Sequence, residues 1–126
     1  MKRRASLITL SVLCLAAASA GAAGKAPTTV HFTHAIPTGS DGSYFEGSIV
    51  SSKKACKNDR KVVVVRRLED GTEKIGSTQS EKNANLGYKW VLERPEVLTP
   101  GTYFAKAPAT DKCKADKSPN VPVAPS

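Results

Sequence analysis

His31 and His34 stand three positions apart in Thr28-Thr29-Val30-His31-Phe32-Thr33-His34. Two imidazoles on one surface would begin a metal site. The flanking residues alternate as a strand does, and an odd spacing on a strand puts the two rings on opposite faces. No metal site is expected there. Asp41-Gly42-Ser43 and Asp70-Gly71-Thr72 read as turns, without the repeated oxygen ligands of a calcium loop. No serine occupies a Gly-x-Ser-x-Gly elbow. The reading is therefore of a chain with no catalytic residues, no metal and no cofactor.

The second chemical feature is charge. Residues 53–67 read KKACKNDRKVVVVRR. Lys53, Lys54, Lys57, Arg60, Lys61, Arg66 and Arg67 stand against a single acid, Asp59. Cations gathered on one surface attract polyanions by charge alone. These seven are the candidate contacts for an acidic cell-surface polymer. Specific nucleic-acid binding is not expected, because the run flanks a strand rather than filling a helix or groove, and the few aromatics read as core. Acids also follow at Glu69, Asp70 and Glu73.

The ends of the chain bear on where this charge acts. Met1-Lys2-Arg3-Arg4 is basic, ASLITLSVLCLAAASA is apolar, and small residues follow at Ala18, Ala20 and Gly21. That order is a secretory signal peptide, with cleavage expected after Ala20. The apolar stretch is shorter than the roughly 20 residues of a membrane span, so no transmembrane anchor is expected. Cys14 follows Leu13 inside the apolar region, which does not suit a lipid-attachment site. Removal of Lys2, Arg3 and Arg4 lowers the formal charge from +8 to +5. It leaves Cys56 and Cys113. Two cysteines in an exported chain predict one disulfide. The loop-entropy model assigns such a bridge roughly 4 kcal/mol.

Strands must position these groups. Past the signal peptide there is no helical periodicity. Short alternating runs are separated by Gly, Pro, Asn, Asp and Ser. Strands are expected over 28–34, 44–51, 61–68, 72–80, 88–93 and 102–107, with a possible seventh in 118–123. Residues 36–43 read as a connector and Asp70-Gly71 as a hairpin turn. Val30 and Phe32 share a face, as do Phe45 and Ile49, and Tyr88, Trp90 and Leu92. Tyr103 and Ala105 lie opposite Phe104. The prolines of the tail confine it to an edge. The expected organisation is a signal peptide over 1–20, a flexible segment over 21–27 and a sandwich over 28–124. The fold class is all-β: one antiparallel β-sandwich of about seven strands behind a signal-peptide helix.

Val62-Val63-Val64-Val65 does not fit simple alternation. A two-layer sandwich buries one face of each strand. Four consecutive valines place apolar groups on both faces. A loop or the C-terminal tail is expected to cover the outward pair, the alternative being a partner chain.

Three segments carry a family resemblance. They are Gly76-Ser77-Thr78, then Gly87-Tyr88-Lys89-Trp90-Val91, then Leu98-Thr99-Pro100-Gly101-Thr102-Tyr103-Phe104-Ala105. Together they resemble the signature of prealbumin-like sandwiches: carboxypeptidase regulatory-like domains, transthyretin-like proteins and collagen-adhesin B-type repeats. Phe45-x-Gly47-x-Ile49-x-Ser51 before Cys56, and Arg60-x-Val62-x-Val64-x-Arg66 after it, are similar to small secreted bacterial β-sandwich proteins. The resemblance covers about residues 44–118. It implies an immunoglobulin-like or prealbumin-like fold. It implies a tight turn at Pro100-Gly101, and a ring at Tyr103 buried with its hydroxyl on loop backbone. The His-bearing and Tyr-Arg-Gly-Ser motifs of the transthyretin-like hydrolases are missing, so no enzyme is expected. Asn120 with Lys53 or Lys57 offers no clear isopeptide pair of the adhesin kind. The expectation is a secreted, non-enzymatic structural or protein-interaction module. Its partner would be an extracellular protein or, in the alternative, an acidic envelope polymer held by residues 53–67.

Overall fold

The computed structural model describes residues 24–85 and 87–125. The expected signal peptide lies outside them. Among the described residues there are nine strands: β1 (Thr28–Thr38), β2 (Gly42–Ser51), β3 (Lys61–Leu68), β4 (Gly71–Gln79), β5 (Glu81–Asn83), β6 (Gly87–Arg94), β7 (Gly101–Ala107), β8 (Asp116–Lys117) and β9 (Val121–Val123). They form two antiparallel sheets, one ordered β1-β2-β6-β5 and the other β4-β3-β7-β8, with β9 also on β7. This is the all-β sandwich expected from the alternation. β5 and β8 are additions, too short to show a period of two. The 36–43 connector is tighter than its composition suggests, because β1 and β2 pair from Thr28↔Ser51 out to Thr38↔Gly42. The β3–β4 hairpin pairs Leu68 with Gly71, so its loop is Glu69-Asp70.

The inner faces meet in one core. Val30, Phe45, Ile49, Trp90 and Leu92 come from the first sheet; Val62, Val64, Tyr103, Ala105 and Ala107 come from the second. Trp90 is wholly buried. Its indole lies on Gly47, where a Cβ would stand 2.6 Å from Trp90 Cζ2 and would also collide with the His31 carbonyl. Its Nε1 donates to that carbonyl at 3.1 Å. Tyr103 packs on Phe45, with ring centroids 5.6 Å apart. Its hydroxyl donates to the carbonyl of Thr99 at 2.6 Å. Burial raises the Tyr103 pKa.

The disulfide joins Cys56 and Cys113 across a sequence separation of 57. Both are buried together with Ala26. Ala26 donates to Lys112 O at 2.9 Å and accepts from Lys114 N at 2.8 Å. The chain is thus held ahead of β1, inside the segment expected to be flexible. Cys56 ends a single 3-10 turn, Lys54–Cys56, the only helical element among the described residues.

The outward valines have a cover. Val63, Val65 and Phe104 form a second buried cluster on the far side of the second sheet. The Arg67 guanidinium lies 4.4 Å over the Phe104 ring and the Lys117 ammonium 5.7 Å. Arg67 Nε also donates to Asn120 Oδ1 at 3.0 Å. The pair is therefore buried within the chain itself beside Phe104, whose ring Arg67 and Lys117 cap.

Candidate functional site

The fold divides the basic run among five places. Lys53 and Lys54 stand exposed at the 3-10 turn. Lys57 places its ammonium 5.2 Å over the Tyr88 ring. Arg66 points into one end of the sandwich, where Nη1 meets Glu73 at 3.3 Å. Only Lys61 and Arg67 share a face, because β3 alternates and they are an even number of positions apart.

Arg60 is an interior residue and not a surface contact. It is 3% exposed. Nη1 donates to Thr28 Oγ1 and to Cys56 O, both at 3.0 Å. Nη2 donates to Pro108 O at 2.9 Å and to Lys114 O at 3.0 Å. No carboxylate faces it among the described residues, and desolvation lowers its pKa. The guanidinium remains charged, because arginine starts far above neutral pH. One buried cation thus ties β1, the 3-10 turn and the 108–114 loop around the disulfide. Sequence placed it with the surface cations because charged side chains are seldom buried.

The outer face of the second sheet gathers a different set of cations. Register carries the face of Lys61, Val63, Val65 and Arg67 onto the neighbouring strands. Val65 lies opposite Lys74 on β4 and opposite Phe104 on β7. Val63 lies opposite Lys106, and Lys106 lies opposite Lys117 on β8. Lys61, Arg67, Lys74, Lys106 and Lys117 are all exposed, and none forms an ion pair among the described residues. The other residues facing them across the ladders are Gln79, Ser77 and Thr72, which are uncharged. Glu73, the acid on β4, falls on the opposite face, where it meets Arg66. Strands lie about 4.8 Å apart, so Lys74 and Lys106 sit within about 10 Å of the same valine pair. The result is an apolar centre ringed by five positive charges. Lys74, Lys106 and Lys117 all lie outside the basic run in sequence. The pairing of β4 and β7 with β3, and of β8 with β7, brings them to it.

The first sheet has a neutralised counterpart. A register shift between Phe32 and His34 leaves Thr33 unmatched, so His31 lies opposite Ser48 and His34 opposite Glu46. Both histidines therefore reach the outer face. Their odd spacing does not separate them as expected, because the bulge adds a residue and resets the alternation. His34 Nε2 lies 2.8 Å from Glu46 Oε1, and Lys89 Nζ lies 2.7 Å from Glu46 Oε2. The Tyr44 ring stacks on His34 with centroids 6.3 Å apart. The hydrogen bond from Lys89 lowers the Glu46 pKa, with charge from Lys89 and His34 adding to it and burial opposing it. Burial and the negative Glu46 raise that of Tyr44. This is a structural network on one carboxylate. Among the described residues no group of three or more His, Cys, Asp or Glu could hold a metal ion.

Compared with known proteins, the chain matches no family model, and no curated protein is significantly similar to it. Among the described residues no helix is long and apolar enough to cross a membrane.

Proposed function

We propose that this chain is an exported, non-enzymatic sandwich of the prealbumin-like kind that adheres to acidic polymers at the cell surface. The contact is the outer face of the second sheet. The observation that carries the reading is the set of five exposed cations, Lys61, Arg67, Lys74, Lys106 and Lys117, around Val63, Val65 and Phe104 with no acid on the face. A sheet holds these charges at fixed spacing, so little backbone order is lost on binding a polymer. Export is supported by the pattern of residues 1–20 and by the disulfide, which persists in oxidising compartments. A protein-docking role has less support here. The outward valines that would have called for a partner are already buried within the chain itself.

The test is salt elution of the oxidised mature chain from immobilised heparin. Retention above about 0.15 M salt is expected, falling steeply as salt rises, since polyanion contacts release counterions. The double variant Lys74→Ala, Lys106→Ala should elute markedly earlier, and Lys53→Ala, Lys54→Ala only slightly. Elution of the native chain below about 0.15 M salt, or of the first variant at the native position, sinks the reading.

A further inference from the structure

A cleft of about 330 Å³ opens at one end of the sandwich, between β3, β4, β6 and the 95–100 loop. Ile75, Val97 and Leu98 give it apolar walls in front of the buried Phe45 and Tyr103, and Arg66 and Arg94 give it two guanidinium groups. The disulfide node does not include it, and of the basic face only Lys74 also reaches its rim.

The arginines are incompletely used. Arg66 lies back against Gly101, where a Cβ would stand 3.1 Å from its Nε. That Nε is buried and donates to nothing among the described residues. Among the described residues the Arg66 guanidinium makes one hydrogen bond, from Nη1 to Glu73 at 3.3 Å. That of Arg94 makes one, from Nε to Glu96 at 3.0 Å. A guanidinium has five N–H donors in a fork that matches a carboxylate. Most donors of both forks therefore have no protein partner among the described residues.

The acids sit nearer solvent than the arginines they touch. Side-chain exposure is 51% for Glu73 against 25% for Arg66, and 63% for Glu96 against 38% for Arg94. Such exposed pairs are weak in water, so a competing anion displaces the acid at small cost.

We infer that this cleft is a binding site for a small organic carboxylate with an apolar body. The carboxylate takes the free donors of Arg66 and Arg94, and the body lies against Ile75, Val97 and Leu98. Glu73 holds the anion position in the empty protein. The volume suits a compact ligand, at the lower end of the roughly 300–1,000 Å³ of small-molecule sites.

The experiment is a titration of the oxidised mature chain with 3-phenylpropionate, followed by backbone amide chemical shifts, with 3-phenylpropionamide as the neutral control. Saturable shifts are expected at Ser43, Arg66, Leu98 and Thr99. The amide should bind about tenfold more weakly, or less, because it lacks the charge-assisted bonds. Glu73→Gln should tighten binding several-fold by freeing Arg66. Arg66→Gln and Arg94→Gln should each weaken it about tenfold while leaving retention on heparin unchanged. That last arm separates this site from the basic face. Absence of saturable shifts, or equal affinity for acid and amide, overturns the inference. If Arg66→Gln loses native shift dispersion, Arg94→Gln decides, and native affinity in that variant also overturns it.

Discussion

Arg60 Nη1 donates to the carbonyl of Cys56 at 3.0 Å, so a buried cation holds the backbone of the residue that anchors the disulfide. The two devices are one node. The bridge fixes where the 3-10 turn and the 108–114 loop meet, and the guanidinium satisfies the carbonyls turned inward there.

Replacement of Arg60 by Met should destabilise the fold by about 2–4 kcal/mol. It leaves Thr28 Oγ1 and three carbonyls without their donor in a region with little water. Arg60→Lys should recover only part of this, because an ammonium lacks the planar fork. Urea unfolding followed by circular dichroism measures both. A Met variant as stable as the native chain contradicts the role assigned to the node.

Cys56→Ser with Cys113→Ser should lower stability by roughly 4 kcal/mol, the loop-entropy value for a bridge of this span. The folded form should persist in part, because the core between the sheets does not include the sulfurs. The same loss is expected on reduction of the native chain. A thermal midpoint unmoved by reductant would show that the bridge constrains little.

Gly47→Ala should be among the most damaging single-methyl additions, costing about 3 kcal/mol or more. The new Cβ meets the Trp90 ring and the His31 carbonyl, and a backbone oxygen in a paired strand cannot step aside. Gly39→Ala is the control: its Cβ would meet no atom within 4 Å, and only its φ of 68° opposes the change. Trp90 fluorescence should report displacement of the indole in the first variant and not in the second.

Glu46 predicts an acid limb in the stability curve. Its folded pKa lies below the ordinary 4.5, first because Lys89 donates a hydrogen bond to the carboxylate. The unfolded chain therefore takes up the proton first as pH falls. The stabilisation is fully present above about pH 4.5 and is lost as pH drops from there through the lower folded value. Glu46→Gln should flatten this limb. Lys89 has the opposite sign: its pKa is raised by the same bond, so its share is lost only as pH rises past the usual lysine range. Midpoints of urea unfolding between pH 2 and pH 7 test the acid limb; a Gln variant with the native slope would contradict it.

Much of the fold was legible because strand burial has a period of two. Val30, Phe45, Ile49, Trp90, Leu92 and Tyr103 all fall on the inner faces that alternation assigns them. The Cys56–Cys113 bridge was legible as the one pairing left in a mature chain with two cysteines. The histidine geometry was not, because one inserted residue at a bulge reverses a parity argument and no residue type marks the bulge. Nor was the fate of Arg60, whose four acceptors come from segments up to 54 positions away.

By itself, the sequence determined the strands, their inward faces and the disulfide, since each follows from local alternation or from counting. It also contained the charge of residues 53–67, but not where that charge points. Strand register decided that. It sent Arg66 into an end cleft and left Lys61 and Arg67 outside, joined there by Lys74, Lys106 and Lys117. The node around the disulfide buried Arg60. Charge acts through space and falls off over roughly 10 Å, while sequence orders residues only along the chain. A cationic face assembled from four strands therefore exists only once those strands have paired.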